Sequence, residues 1–192
     1  YDNNNASKSL LVRPQYGLEL DITESSKTVD VNNAAVFDLS ITNMGLQVDN
    51  YNISVEVMNP QWDIIYPTVI ESVESNTTSN FQVSFTPKDN VTAAEHLFTI
   101  TATSQGNTSR TDSTIVGITL NQYFGLNLVM PLDFQKVFPG NTLFYPVKII
   151  NEGNGEDTFD LYTSSDWGAQ TRVDGSPSGE VSLAAFRSID AE

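Results

Sequence analysis

Val36-Phe37-Asp38-Leu39-Ser40-Ile41-Thr42-Asn43-Met44-Gly45, followed by Asp49-Asn50-Tyr51-Asn52-Ile53, returns later in the chain. The second occurrence is Phe144-Tyr145-Pro146-Val147-Lys148-Ile149-Ile150-Asn151-Glu152-Gly153, followed by Asp157-Thr158-Phe159-Asp160-Leu161. The spacing from Asn43 to Asn151, Gly45 to Gly153, Asp49 to Asp157, Tyr51 to Phe159 and Gly17 to Gly125 is 108 residues in every case. One period shared by unlike residue types marks two copies of one folded unit. Within each copy apolar and polar side chains alternate up to the Asn, as a strand with one wet face requires. Asn-x-Gly then supplies a turn, because Gly enters positive φ without a Cβ clash and the Asn side chain bonds to nearby backbone.

Outward from that phrase the same alternation marks strands at residues 16–22, 51–57 and 81–85, with shorter apolar runs at 69–73, 97–102 and 111–120. Asn59-Pro60 stops the strand after Tyr51, and Trp62 is expected in a short irregular piece beyond it. In the second copy, strands are expected near 126–130, 143–150, 158–163, 181–183 and 186–189. Short strands, frequent turn signals and no helical stripe predict an all-β chain of tandem immunoglobulin-like β-sandwiches. The first is expected over residues 15–122 and the second over 123–192.

Shifted by the period, Ser9, Leu10, Leu11 and Val12 fall on Gly117, Ile118, Thr119 and Leu120. Residues 1–14 are therefore read as a tail holding either the last strand of a preceding repeat or a donor strand for another subunit. Glu192 falls opposite Ser84, so the second sandwich is expected to be incomplete within this sequence.

The chain carries 24 acidic and 9 basic side chains, a net charge of −15 and a pI near 4.1. Such a surface repels phosphate backbones and anionic lipid, which excludes nucleic acid from the expected partners, and it attracts cations. Cysteine is absent, so disulfides and thiolate metal or redox sites are excluded. No run approaches the ~18 apolar residues of a membrane helix, so no direct membrane insertion is expected in this segment.

The order Asn-x-Gly, then Asp, then aromatic-x-aliphatic, then Trp recurs as Asn43, Gly45, Asp49, Tyr51, Trp62 and as Asn151, Gly153, Asp157, Phe159, Trp167. It resembles the immunoglobulin-like repeats of prokaryotic extracellular proteins. The nearest likeness is to the NEW-type domain associated with galactosidase-type carbohydrate-binding modules, and to related cell-adhesion-type bacterial and archaeal repeats. The resemblance covers both copies. It implies tandem arrays in secreted, cell-surface or S-layer proteins, and it says little about activity.

Reactive chemistry is sparse. His96 is the only histidine, and without Cys or Gly-x-Ser-x-Gly no nucleophilic triad is expected. The run holding Asn151, Glu152, Asn154, Glu156 and Asp157 gathers oxygen ligands in a Gly-rich loop, as Ca2+ prefers, although Asn, Gly and Asp are also ordinary turn formers. No cofactor is required by this reading, and Ca2+ is the one ion for which the sequence offers a place. Asn5, Asn52, Asn76, Asn90 and Asn107 head Asn-x-Ser/Thr sequons, barely more than this Asn-, Ser- and Thr-rich composition produces by chance. Tyr51, Trp62, Tyr66 and Trp167 could build a sugar platform. Because Tyr51 and Trp62 match Phe159 and Trp167, they are instead expected as core and end-capping rings.

The function expected from all this is a non-enzymatic structural segment of an extracellular or S-layer protein. It would act as spacer, lattice element or adhesion scaffold, with self-association or neighbouring immunoglobulin-like domains as partners. Two alternatives stand beside it: a filament subunit assembled by strand donation, and a carbohydrate-binding module of a secreted hydrolase with glycans as ligands.

Overall fold

Alternation becomes burial in the computed structural model, which describes residues 13–56, 60–132 and 134–192. In β3 (Ala35–Asn43) every second side chain from Ala35 to Asn43 is buried, and in β7 (Thr78–Pro87) Phe81, Val83 and Phe85 are buried in the same way. These two strands pair antiparallel, Phe37 opposite Val83 and Leu39 opposite Phe81. With β1 (Leu18–Ile22) and β5 (Trp62–Ile65) at the edges they form a sheet in the order β1-β3-β7-β5.

A second sheet has the order β2-β9-β8-β4-β6, from β2 (Ser26–Val29), β9 (Thr111–Leu120), β8 (Glu95–Ser104), β4 (Asp49–Glu56) and β6 (Val69–Val73). The N–H of Gly117 donates to Ser25 O and that of Asn121 to Val29 O, so the bonds advance together along both strands and β2 runs parallel to β9. Rings bridge the sheets: Phe85 lies 4.6 Å from Phe98, and Trp62 lies 5.1 Å from Phe98. Each buried ring of this kind stabilises the fold by roughly 1.5–3 kcal/mol through apolar surface withdrawn from water.

The later half repeats the plan with fewer strands. β10 (Leu126–Val129), β11 (Val147–Asn151), β16 (Ser188–Ala191), β13 (Arg172–Val173) and β14 (Ser176–Pro177) form one sheet in that order, while β12 (Asp157–Asp160) and β15 (Glu180–Leu183) form a two-stranded sheet. Ile149, Val181 and Leu183 are its buried centre, with Phe159, Leu161, Val173, Ile189 and Ala191 packed against them. No helix occurs among the described residues. The chain is all-β and built from β-sandwich arrangements.

Local chemistry accounts for the departures from the sequence-based strands. Trp62 is not in an irregular piece but opens β5. The strand expected over 143–150 narrows to Val147–Asn151, since Pro146 has no N–H to donate to a ladder. The one expected over 186–189 shifts to Ser188–Ala191, because Phe186 adopts φ 57° and turns the chain.

Packing divides the chain into two units. The first comprises the chain up to Lys27, Ala34–Thr86 and His96–Ile118; the second comprises Thr28–Asn33, Pro87–Glu95 and Thr119–Glu192. Within the second unit Asn121 Nδ2 donates to Asp30 Oδ1 at 2.8 Å, Tyr123 Oη to Asp89 O at 3.1 Å, and the N–H of Ala93 to Asn154 O at 2.8 Å.

Candidate interaction edge

Asn43 ends β3 fully buried, and its amide is spent entirely on main chain. Nδ2 donates to Gln47 O and to Val73 O, each at 2.8 Å, while Oδ1 accepts the N–H of Gly45 at 2.8 Å. Asn151 ends β11 with the same bonds. Its Nδ2 donates to Gly155 O and Leu183 O at 2.9 Å, with one further contact to Ala184 O at 3.2 Å, and its Oδ1 accepts the N–H of Gly153 at 2.8 Å. The glycines are required by crowding: a Cβ on Gly45 would lie 2.6 Å from Gln15 O, and one on Gly153 would lie 2.7 Å from Tyr123 O. Strand register agrees, with Leu18 opposite Asn43 and Leu126 opposite Asn151.

Past the corner the period changes. Val73 corresponds to Leu183, Thr77 O to Arg187 O as acceptor of the Asn N–H, and Ser79 to Ile189 opposite Ile41 and Ile149, all at a spacing of 110. The left-handed residues Asn76 (φ 58°) and Phe186 (φ 57°) keep the same spacing. Glu192 therefore corresponds to Gln82 rather than Ser84. The extra residues lie between β12 and β15, where the β13-β14 hairpin sits, and β13 beside β16 occupies the place of β5 beside β7. Trp167 is consequently no counterpart of Trp62. Trp62 is 4% exposed and Trp167 is 93% exposed in the loop before β13, so Trp167 caps no core.

The copies differ most along one edge. In the first, β4 pairs with β6 on one side and β8 on the other, Tyr51 opposite Ser104. Asp49 is buried there. Its Oδ2 accepts the Ser104 hydroxyl at 2.5 Å and its Oδ1 the N–H of Gly106 at 3.0 Å. A Cβ at Gly106 would fall inside the ring of Tyr16, so the turn lies directly on that ring. Tyr51 is fully buried and donates to Gly17 O, and burial together with the Asp49 charge pushes its hydroxyl up to about 12. In the second copy β12 pairs only with β15 among the described residues. Asp157 is half-buried and accepts the N–H of its neighbour Thr158, and Phe124, the counterpart of Tyr16, is 69% exposed. Leu126, Leu128 and Met130 are also exposed.

The other candidate residues are scattered. Asn52, Asn76, Asn90 and Asn107 are exposed, Asn52 on the outer face of β4 where its Oδ1 accepts from Gln105 Nε2, and Arg13 Nη1 donates to Asn76 Oδ1. Asn5 and the Ser9–Val12 strand lie outside the described residues. Of the Ca2+ candidates, Asn151 and Asn154 are fully buried. Asn154 Oδ1 accepts the N–H of Tyr123 and its Nδ2 donates to Asn121 O, so a cation would have to displace main-chain bonds. Asn127 Nδ2 donates to Glu152 Oε1, and no group of three or more His, Cys, Asp or Glu side chains suited to a metal ion occurs among the described residues. The His96 ring lies 5.2 Å from that of Trp62, tilted by 59°. Of the aromatic candidates, Tyr51 and Trp62 are buried, Tyr66 is half-buried and Trp167 is exposed. Sequence reasoning missed Ser104, Gly106 and Tyr16 as partners across this edge, because only one copy of β8 is in the sequence and a repeat signal needs two.

No protein-family model and no curated protein sequence matches the chain. Solved structures of similar shape include the secreted serine protease VesC from Vibrio cholerae, at 11% identity over 92% of this chain and 45% of that one, with a TM-score of 0.38. The CupB2 chaperone of Pseudomonas aeruginosa aligns at 11% identity over 90% of this chain and 88% of its own, with a TM-score of 0.39. Domains 4-9 of the surface layer protein SbsC align at 11% identity over 89% and 31%, with a TM-score of 0.34. This chain thus spans less than half of the VesC chain and about a third of the SbsC one. Likeness at this level transfers no residue role, substrate or partner.

Proposed function

We propose that this chain is a structural segment of an extracellular surface protein, working as a stiff spacer or lattice element rather than as an enzyme. The observation that carries this reading is the corner built twice, bond for bond, around Asn43 and Asn151. Conserving main-chain architecture while the surrounding side chains diverge is what a repeated scaffold needs. A site of action would instead need convergent reactive groups. The outer dish between β3 and β7, bordered by Thr23, Asp38, Ser40, Asn80 and Gln82, holds none of the usual nucleophile and base pairs, and Asp38 is engaged by Gln82. The acidic surface keeps such an array soluble and gathers counter-ions.

An antibody raised against this chain is expected to label intact cells of its source. Signal only after permeabilisation would refute the surface placement.

A second reading, a filament subunit, has in its favour the edge of β12 that no strand among the described residues covers. Under it the chain self-associates, and a version starting at Tyr16 loses that association in light scattering.

A further inference from the structure

Comparison of β4 with β12 specifies what belongs on the side of β12 that no strand among the described residues covers. We infer that β12 is the acceptor for one extended segment of the β8 kind, antiparallel to it, with inward apolar side chains at alternate positions and ending in Ser-x-Gly. The inference rests on the repeat architecture of the preceding section and not on where the protein works.

Three groups on the second copy stand where their counterparts meet β8 and the turn after it. Against the Asp49 carboxylate the first copy places Ser104, whose hydroxyl donates to one oxygen, and Gly106, whose N–H donates to the other. Asp157 holds the same corner position with only the Thr158 N–H among the described residues. Against Tyr16 the first copy places Gly106, where only a residue without Cβ fits; Phe124 presents its ring 69% exposed. Opposite Tyr51, Ile53 and Val55 the first copy lays Ser104, Ala102 and Ile100, all buried, whereas Phe159 and Leu161, the counterparts of Tyr51 and Ile53, remain half-buried. A hydroxyl and an N–H aimed at a carboxylate are charge-assisted donors, stronger than neutral ones, and the unpaired side of a strand is a template for another strand. Together these select against a generic strand: the occupant needs Ser or Thr opposite Phe159, and Gly two residues on.

This requirement bears on the amino-terminal segment. Leu10 and Val12 match Ile118 and Leu120 of β9, which lies beyond β8 and does not touch the edge of β4. Ser9-Leu10-Leu11-Val12 is followed by Arg13-Pro14, not by Ser-x-Gly. Its sequence therefore lacks the Ser-x-Gly that the inference specifies.

The test extends the chain. Because Glu192 corresponds to Gln82, a second copy of residues 83–120 is appended directly after Glu192, and amide exchange is followed at Asp157–Asp160. The expected result is at least a tenfold slowing of exchange there relative to the unextended chain. Asp157→Asn, or Ser104→Ala confined to the appended copy, is expected to reverse about tenfold of it. Unchanged exchange at β12, or protection indifferent to both substitutions, overturns the inference. If the extended chain is insoluble, a synthetic peptide of residues 95–110 added to the unextended chain decides. Protection of Asp157–Asp160 by this peptide, and not by one of residues 7–14, supports the inference, while protection by neither or only by the latter overturns it. Neither result depends on surface labelling of cells, so this inference and the proposed function fail separately.

Discussion

Asn43 and Asn151 make the same bonds, yet the surfaces around them diverge. Leu20, beside the first corner, is 7% exposed, and its counterpart Leu128 is 55% exposed; Tyr51 is sealed in, and Phe159 is not. The corner is local: all its partners lie within three dozen residues of the Asn. Cover is remote, because β8 and β9 return to β4 and β2 from 43 or more residues away. Recognition of a fold and completion of its core are thus separable, and a hydrogen-bonded corner can be set before its sandwich is closed.

The widest gap between the copies is expected in their rings. Phe85→Ala should cost about 3–5 kcal/mol, since Phe85 packs on both Phe37 and Phe98, whereas Phe159→Ala should cost about half as much. Urea denaturation of each variant measures this, and equal costs would mean that the second core is packed as fully as the first. Next come the corners. Asn43→Ala strands two main-chain carbonyls and an N–H, and Asn151→Ala the equivalent groups and the more distant Ala184 O, at about 2–4 kcal/mol each, and the two values should agree within about 1 kcal/mol. A large inequality would break the equivalence of the corners.

Alkaline pH should separate the copies more gently. The Tyr51 hydroxyl is raised to about 12 from 10.0, so the folded chain retains a proton that the unfolded chain releases. Its contribution is fully present below pH 10 and is lost as pH rises through about 12; Tyr51→Phe should remove that pH dependence, and the second copy, with Phe159, has none to lose at this position. Denaturation midpoints followed between pH 9 and about 12 would show the slope. Smallest of all, Trp167→Ala should change stability by less than about 0.5 kcal/mol, while acrylamide should quench Trp167 and spare Trp62.

The strands and the corner were legible because alternation and the 108-residue period are written in residue identity. The change to a spacing of 110 was hidden between β12 and β15, where Trp167, in the loop before β13, sat close enough to the expected position to be matched with Trp62. Burial, not sequence, separates those two rings. Ser104 and Gly106 were illegible for another reason: their importance lies in touching Asp49 and Tyr16 across more than 50 residues, and no second copy exists in the sequence to expose the pattern.

The most direct measurement is residue-resolved amide exchange on the chain as it stands, comparing β4 (Asp49–Glu56) with β12 (Asp157–Asp160). The account expects β4 amides to exchange slowly, held between two neighbours, and β12 amides facing away from β15 to exchange orders of magnitude faster, while the N–H groups of Gly45 and Gly153 are protected alike. Equal protection of β4 and β12, or unequal protection of the two glycines, would contradict it.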